Sequence, residues 1–527
     1  MSEVEHTPGD ESRDGDLAAR TASGLRWSYL GQVTLMVANL AYTATVSRLL
    51  DPATFGVFAL ANLVVWFMYF FARMGLASAL VQKPELTDDD VRAASTAGIA
   101  LGLGCFVVVW AAAPVLASVF HTPALTAVMR VLGTGFVFEG WSMTGTGLLL
   151  RELRFRELSI ITASTYILGY LVTGVTLALA GAGIWSLVVG ALVSNGSQAI
   201  WQYVKLRHPV RPVAAWAPYA SVCGYGIRLS GTHVMDYLCG NLDTLVVARV
   251  ASSPVLGQYS RGYSLVFQPL GNHVAQASTN VLFSSLSRIQ DDLGRLRRVY
   301  LGVIMLVAAI LFPICAGSSV AARELVLVVI GPQWGLAVGL VPWFALAGGL
   351  AVMSKLSRVV AEARAELNRS LAAQGAQLVV LATLLLLSAR AGRLWLFAAS
   401  VAAGELVRFL GYLGLMRRIL ALRLPDIAKA LVPAVLTSVA AAVAVAGARH
   451  GLAGRVPPLG VFAAEMAAGA VALALCLRLG PMAGVREMLG RRLADIGLLG
   501  EPGGLRRRLA SLVIGPPEPT VTPGRRR

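Results

Sequence analysis

Long apolar runs alternate with short polar segments along most of the chain. A helix needs roughly 20 apolar residues to cross about 30 Å of hydrocarbon. Lipid offers no partner for a free backbone N–H or C=O, so each run is expected to be helical. The pattern predicts about fourteen transmembrane helices. They lie near residues 27–47, 55–80, 94–119, 125–149, 158–180, 183–204, 226–247, 255–282, 300–321, 333–354, 371–389, 394–416, 430–447 and 459–478.

Composition supports the same fold class. The chain has 527 residues, of which 56% are hydrophobic and 14% are charged. This is more apolar surface than one soluble core could bury. The five cysteines show no paired ligand spacing, so we expect neither a disulfide nor a metal site. The sequence therefore predicts an all-α, polytopic membrane protein.

An internal repeat organises the apolar runs. The segment "VSRLLDPATFGVFA" at 46–59 returns as "VARVASSPVLGQYS" at 247–260, and "GLRWS" at 24–28 returns as "GIRLS" at 226–230. The nearly constant offset predicts two halves of six helices each. Because six is even, both halves begin on the same side, as in parallel repeats related by an axis along the membrane normal. In such transporters substrate binds between the halves and access alternates.

The repeat and the polar ends predict five segments. They are a disordered cytoplasmic tail at 1–23, an N-terminal six-helix half at 24–210, a C-terminal six-helix half at 211–425, two additional transmembrane helices at 426–480, and a basic cytoplasmic tail at 481–527. The basic tail has apolar residues at helical spacing beside arginines, which is typical of helices lying on a lipid surface.

Charge placement predicts the orientation. Lysine and arginine concentrate in alternate loops, which the positive-inside rule assigns to the cytoplasm together with both termini. These loops are 151–157, 205–211, 288–298, 355–369 and 417–429. The formal net charge of +17 then faces lipid headgroups. No soluble domain remains to present a basic face, so nucleic acid is not an expected partner.

Five segments, taken together, resemble the polysaccharide flippases, which are relatives of the multidrug and toxin extrusion transporters. They are "RLLDPATFG" (48–56), "LRELRFRELS" (150–159), "NLDTLVVAR" (241–249), "LGQYSRGYSLVFQP" (256–269) and "LSRIQDDLGRLRRVY" (286–300). The resemblance implies transport of undecaprenyl-pyrophosphate-linked oligosaccharides. Two positions depart from the family pattern: Gly240 stands where a basic residue often precedes "NLD", and Arg73 stands where an acidic residue is common.

Polar residues inside the apolar runs are the candidate cavity residues, because such residues are costly in hydrocarbon and usually face a bundle interior. The eighth helix carries such residues at spacings typical of one helix face: Gln258, Arg261, Gln268, Asn272, Gln276 and Thr279. Arginine binds a diphosphate through paired hydrogen bonds, so Arg261 is the first candidate contact and Arg73 the second. Asn39 and Gln32 of the first helix are candidates for sugar hydroxyls or, alternatively, for bonds between helices.

A second polar stripe lies on the seventh helix. His233, Asp236 and Asp243 recur there at helical spacing, and Glu139 lies in the fourth helix. These residues suit the binding of H⁺ or Na⁺ in coupled transport. The alternative is structural: Asp236 or Asp243 pairs with Arg261 or Arg228, and Glu139 pairs with an arginine.

These features predict a transporter that flips an anionic lipid-linked glycan to the outer leaflet by alternating access. The alternatives are a drug or small-lipid exporter of the same architecture, and a membrane-embedded glycan polymerase or ligase. The sequence has no P-loop and no metal-ligand cluster, and the predicted outside loops are short. We therefore expect no enzyme and no cofactor. Membrane lipids and glycan-assembly proteins are the other expected partners.

Overall fold

The fold is helical throughout the part of the chain that the computed structural model describes, which comprises residues 8–73, 75–83, 85–213, 219, 237–269, 292–364 and 366–479. The predicted all-α class is therefore confirmed. Nine helical segments in these ranges are long and apolar enough to cross a membrane. They are Pro52–Gln82, Asp88–Val119, Phe155–Leu179, Leu293–Val320, Val341–Ala363, Asn368–Ala391, Leu394–Ile419, Leu424–Leu452 and Pro458–Arg478. The total of about fourteen stays a prediction.

The first of two compact units comprises Met1–Ser260. Its helices are α1 (Pro8–Leu49), α2 (Pro52–Arg73), α3 (Leu76–Gln82), α4 (Asp88–Val119), α5 (Ala124–Gly133), α6 (Gly135–Arg151), α7 (Phe155–Tyr166), α8 (Val175–Leu179), α9 (Ile184–Leu206), α10 (237–250) and α11 (Ser253–Gly262), of which the last two residues belong to the second unit. A π-helical segment, Ile167–Gly174, joins α7 to α8.

The second unit comprises Arg261–Arg527. It begins with the end of α11 and a π-helical segment, Tyr263–Phe267. Its further helices are α12 (Leu293–Val320), α13 (Ala322–Val329), the 3₁₀ turn Pro332–Trp334, α14 (Gly335–Val338), α15 (Val341–Ala363), α16 (Leu367–Ala391), α17 (Leu394–Ile419), α18 (Leu424–Leu452) and α19 (Pro458–Leu479).

Two helices depart from the predicted pattern. Helix α1 begins at Pro8, so residues 8–23 are helical rather than disordered. Proline suits the first turn of a helix, because backbone N–H groups there have no acceptor within the helix and the one that proline lacks is not missed. The tenth predicted span, 333–354, is displaced to α15, Val341–Ala363. Pro342 lies in the first turn of α15 instead of inside the span, and the predicted cytoplasmic loop at 355–369 is helical as far as Ala363.

Glycines let α4 and α6 cross with their backbones in contact. A Cβ added at Gly98 would lie 2.3 Å from the carbonyl oxygen of Gly140, and one added at Gly140 would lie 2.0 Å from that of Gly98. Real Cβ atoms do not approach oxygen this closely, so the crossing requires glycine on both helices. Small residues at helix crossings are typical of membrane bundles, because the helices there associate by close packing.

The repeated segments 46–59 and 247–260 have a backbone hydrogen bond in common. The amide of Phe55 donates to the carbonyl oxygen of Asp51, and Leu256, its counterpart in the repeat, donates in the same way to Ser252. The two copies also touch each other reciprocally. A Cβ on Gly56 would lie 1.8 Å from the oxygen of Ser253, and a Cβ on Gly257 would lie 1.9 Å from the oxygen of Pro52.

This reciprocal contact bears on topology, because the four residues are two repeat-related pairs. Pro52 corresponds to Ser253 and Gly56 to Gly257 at an offset of 201 residues, as the sequence numbers give directly. Each copy therefore presents the same patch to the other, which is the pattern of a two-fold contact. Both segments of this contact belong to the first unit, and the arrangement of the two predicted halves as parallel repeats stays a prediction.

We expect Gly98→Ala to lower the free energy of unfolding by about 1–3 kcal/mol, because the added methyl group separates α4 from α6. The matched control is Gly104→Ala on the same helix, where an added Cβ meets nothing within 4 Å. That variant should be neutral or stabilising by up to roughly 1 kcal/mol, as alanine favours helix over glycine. Thermal unfolding of the two detergent-solubilised variants measures the difference; equal transition temperatures would contradict the close crossing.

Candidate functional site

A cluster of polar residues forms around Arg73, where α2 ends. Arg73 is the last residue of α2, and its Nε donates to Oε1 of Glu139 on α6 over 2.7 Å. The guanidinium also lies 5.3 Å from the ring centre of Tyr69, a cation–π contact. The hydroxyl of Tyr69 accepts a 2.9 Å hydrogen bond from Nδ2 of Asn195 on α9. These four residues, here called the Arg73 cluster, join α2, α6 and α9.

The Arg73 cluster leaves part of the arginine available. The Arg73 side chain is 45% exposed, whereas that of Glu139 is 11% exposed. Glu139 engages only Nε, and no residue that the structure describes forms a hydrogen bond with either terminal amino group of Arg73. The carboxylate thus fixes the guanidinium while two of its three nitrogens face outward from the ion pair. A guanidinium held in this way suits an anion that accepts paired hydrogen bonds.

The predicted sugar-contact residues lie on α1. Nδ2 of Asn39 donates to the hydroxyl of Tyr166 on α7 over 2.9 Å. Gln32 lies two turns earlier, and both side chains are exposed in the first unit. Asn39 therefore bonds α1 to α7, and contact of Asn39 or Gln32 with sugar hydroxyls stays a prediction.

The eighth predicted span does not keep its polar residues on one face. Gln258 is buried, Arg261 is half-buried and Gln268 is exposed. The π-helical segment Tyr263–Phe267 lies between Arg261 and Gln268. A π turn inserts an extra residue, so the positions after it rotate away from the face predicted by a regular α-helix. Asn272, Gln276 and Thr279 lie outside the described residues.

The structure gives Asp243 a partner that the sequence did not suggest. The hydroxyl of Tyr259 on α11 donates to Oδ2 of Asp243 on α10 over 2.6 Å, and Asp243 is only 2% exposed. His233, Asp236 and Arg228 lie outside the described residues. Asp243 thus takes part in a buried hydrogen bond within the first unit, while the roles of His233 and Asp236 in ion coupling stay predictions.

An apolar groove lies between α2 and α4. Its volume is about 530 Å³, and its lining includes Met68, Phe71, Leu101 and Val108. An apolar surface offers no hydrogen bonds to replace the hydration that a charged group loses when it binds. Within the described part of the first unit, the Arg73 cluster is accordingly the better candidate for an anionic headgroup.

Sequence analysis missed one buried carboxylate, Glu465 on α19, which is 0% exposed. The sequence marks this residue, because Glu465 is the single acidic residue in the apolar run 458–479. An ionisable residue inside a membrane span is a functional candidate by default. Glu465 lies beyond the two predicted halves, which contain all of the predicted cavity residues.

The membrane-crossing helices, the internal repeat in the sequence and the arginine held by a buried carboxylate are together typical of a membrane transporter. Residues 45–339 match the model of the polysaccharide biosynthesis protein family, and the chain belongs to this family. The matched residues include the Arg73 cluster, Asp243 and Arg261.

Curated relatives and solved structures agree with this assignment. The chain is 25% identical over 324 residues to the lipopolysaccharide biosynthesis protein WzxC of Escherichia coli, covering 60% of this chain and 65% of the relative. It is 24% identical over 324 residues to the succinoglycan biosynthesis transport protein ExoT of Rhizobium meliloti, covering 62% and 65%.

Among solved structures, the chain is similar to the lipid II flippase MurJ in an inward closed conformation. The TM-score is 0.70 at 10% identity, with 88% of this chain and 100% of that chain covered. At this identity the likeness concerns the fold. The expectation that the chain is a transporter and not an enzyme is confirmed by its relatives.

We expect Tyr259→Phe to destabilise the protein by about 1.5–3 kcal/mol, because it removes a hydrogen bond to the buried Asp243 carboxylate. The control is Tyr412→Phe, which removes a hydrogen bond between Tyr412 and the neutral Ser370 hydroxyl, also buried. That loss should be smaller, about 0.5–1.5 kcal/mol. Unfolding temperatures compare the two variants, and an equal loss would contradict the larger contribution expected of the bond between Tyr259 and Asp243.

Proposed function

We propose that this protein flips a lipid-linked, anionic polysaccharide precursor from the inner to the outer leaflet by alternating access. The names of its relatives refer to the biosynthesis of lipopolysaccharide and succinoglycan, and to transport in the latter case. The similar solved structure is titled a lipid II flippase. The proposed cargo is an undecaprenyl-pyrophosphate-linked oligosaccharide, in keeping with the resemblance of the sequence motifs.

The geometry of Arg73 is the observation that carries this proposal. A pyrophosphate offers several charged oxygens, and a guanidinium binds two of them at once with charge-assisted hydrogen bonds. Arg73 has its Nε occupied by Glu139 and its side chain 45% exposed. This arrangement orients the free edge of the guanidinium before cargo arrives, which reduces the ordering cost of binding. Arg261 is the second proposed contact.

The same ion pair opposes the drug-exporter alternative. A cationic drug needs an accessible acidic side chain, and Glu139 is 11% exposed and already bonded to Arg73. Asp243 is 2% exposed and bonded to Tyr259. Neither carboxylate is therefore available to a cation. The observations favour an anionic cargo over a cationic one.

The proposed setting is the cytoplasmic membrane, with both termini in the cytoplasm. The charge bias of the loops supports this orientation. Loading of the glycan on the inner side and its use on the outer side would bring the protein close to glycan-assembly enzymes, which are its proposed partners. Coupling to H⁺ or Na⁺ through Asp236 or His233 is proposed on sequence grounds alone.

We expect Arg73→Ala to slow flipping about tenfold or more, because each charge-assisted hydrogen bond contributes about 1.5–3 kcal/mol. The assay uses reconstituted vesicles loaded with a fluorescent polyprenyl-pyrophosphate oligosaccharide, and it measures the labelled lipid that reaches the opposite leaflet. Arg73→Lys keeps the charge but loses the planar fork, so an intermediate rate is expected. Arg261→Ala tests the second contact in the same assay.

The matched control is Arg130→Ala. Arg130 is an arginine of the same unit whose guanidinium lies 4.2 Å from the ring centre of Trp110, away from the cluster. Its removal should leave the flipping rate within about twofold. If Arg73→Ala flips the lipid as fast as the wild type, Arg73 does not bind the headgroup. If the wild type leaves the lipid in place and exports a lipophilic cation instead, the drug-exporter function replaces the proposed one.

A further inference from the structure

The carboxylate of Glu465 is enclosed in the second unit without a hydrogen bond. Glu465 is 0% exposed on α19, and neither of its oxygens has a hydrogen-bond partner among the residues that the structure describes. An ionised carboxylate in such a place loses the stabilisation that water provides. Burial therefore strongly favours a neutral form of this group, or a ligand that compensates its charge.

The residues around Glu465 carry too little positive charge to neutralise both carboxylates of the site. Glu324 on α13 is 6% exposed, and its Oε1 lies 3.6 Å from Nε of Arg449 on α18. The other oxygen of Glu324 is buried and has no hydrogen-bond partner in the described residues. Both Glu324 and Arg449 interact electrostatically with Glu465. Two carboxylates share one guanidinium, which leaves one negative charge uncompensated.

No other described charge faces this group. Helix α19 packs against α12, α13 and α18. The adjacent end of α12, residues 304–320, has no charged residue. Arg323 on α13 and His450 on α18 are exposed. The guanidinium of Arg449 is further committed to the backbone, since its Nη1 donates to the carbonyl oxygen of Val320 over 3.1 Å.

We propose that Glu465, Glu324 and Arg449 form a proton-binding site in which Glu465 holds the proton. A protonated carboxyl group is neutral, which matches the complete burial of Glu465 and removes the excess negative charge. A multidentate metal site fits less well, because the described residues contain no group of three or more His, Cys, Asp or Glu side chains able to hold a metal ion.

The position of the site links binding of the proton to the packing of α19. Glu465 can ionise readily only if water reaches it, and this requires α19 to move away from α13 and α18. Proton occupancy is thus linked to the packing of the last two helices on α12 and α13. The site lies on elements separate from the Arg73 cluster, and Arg449 and Glu465 lie beyond the family match at 45–339.

The test is infrared difference spectroscopy of the full chain in lipid nanodiscs during pH steps. The carboxylic C=O stretching band reports a protonated side chain directly. We expect the wild type to retain such a band at neutral pH and Glu465→Gln to lose it. The matched control is Glu405→Gln, which alters another buried glutamate of the same unit. Glu405 is bonded to Arg408 and Gln377, so its removal should leave the band in place.

A second variant keeps Glu465 and therefore does not depend on how Glu465→Gln folds. Glu324→Gln removes a neighbouring negative charge, which makes the ionised form of Glu465 less unfavourable. The band should then disappear at a lower pH than in the wild type. Absence of the band from the wild type at neutral pH would overturn the proposal. Loss of the band on adding NaCl at constant pH, with choline chloride as the control salt, would show a sodium site instead.

Discussion

The requirement that every buried polar group find a partner inside the protein governs this molecule. It makes each described membrane segment a helix, because a helix satisfies its own backbone. It also governs side chains. Arg73 is paired with Glu139, Asp243 with Tyr259, and Glu405 with Arg408 and Gln377. Glu465 departs from this rule, and a bound proton would remove the charge that has no hydrogen-bond partner.

The same requirement bears on the contact proposed for Arg73. A charged side chain survives in a membrane bundle if another residue neutralises it, yet a binding group must keep part of its hydrogen-bonding capacity for the cargo. Arginine meets both conditions because its guanidinium has three nitrogens. One nitrogen is bonded to Glu139, and the side chain remains 45% exposed. Lysine, with a single nitrogen, could not divide these tasks in the same way.

The sequence predicted most of the fold, because apolar runs long enough to cross a membrane leave few alternatives to a helix. The span predicted at 333–354 differs from α15, Val341–Ala363. Pro342 suits both the interior of a membrane helix and the first turn of a helix, and hydropathy does not distinguish these two positions. It predicted less of the site. The pairing of Asp243 with Tyr259 depends on how α10 and α11 pack, and the π-helical segment after Arg261 has no signal in residue spacing. Glu465 was visible in the sequence, but its neighbours come from two other helices that only the folded chain brings together.

The contact between Gly56 and Gly257 makes two positions that are distant in the sequence parts of one packing site. Each glycine makes room for the backbone that precedes the other, so a side chain gained at either place closes the same gap. Substituting both glycines should therefore lower the free energy of unfolding by less than the sum of the two single substitutions, because the first substitution already separates the helices.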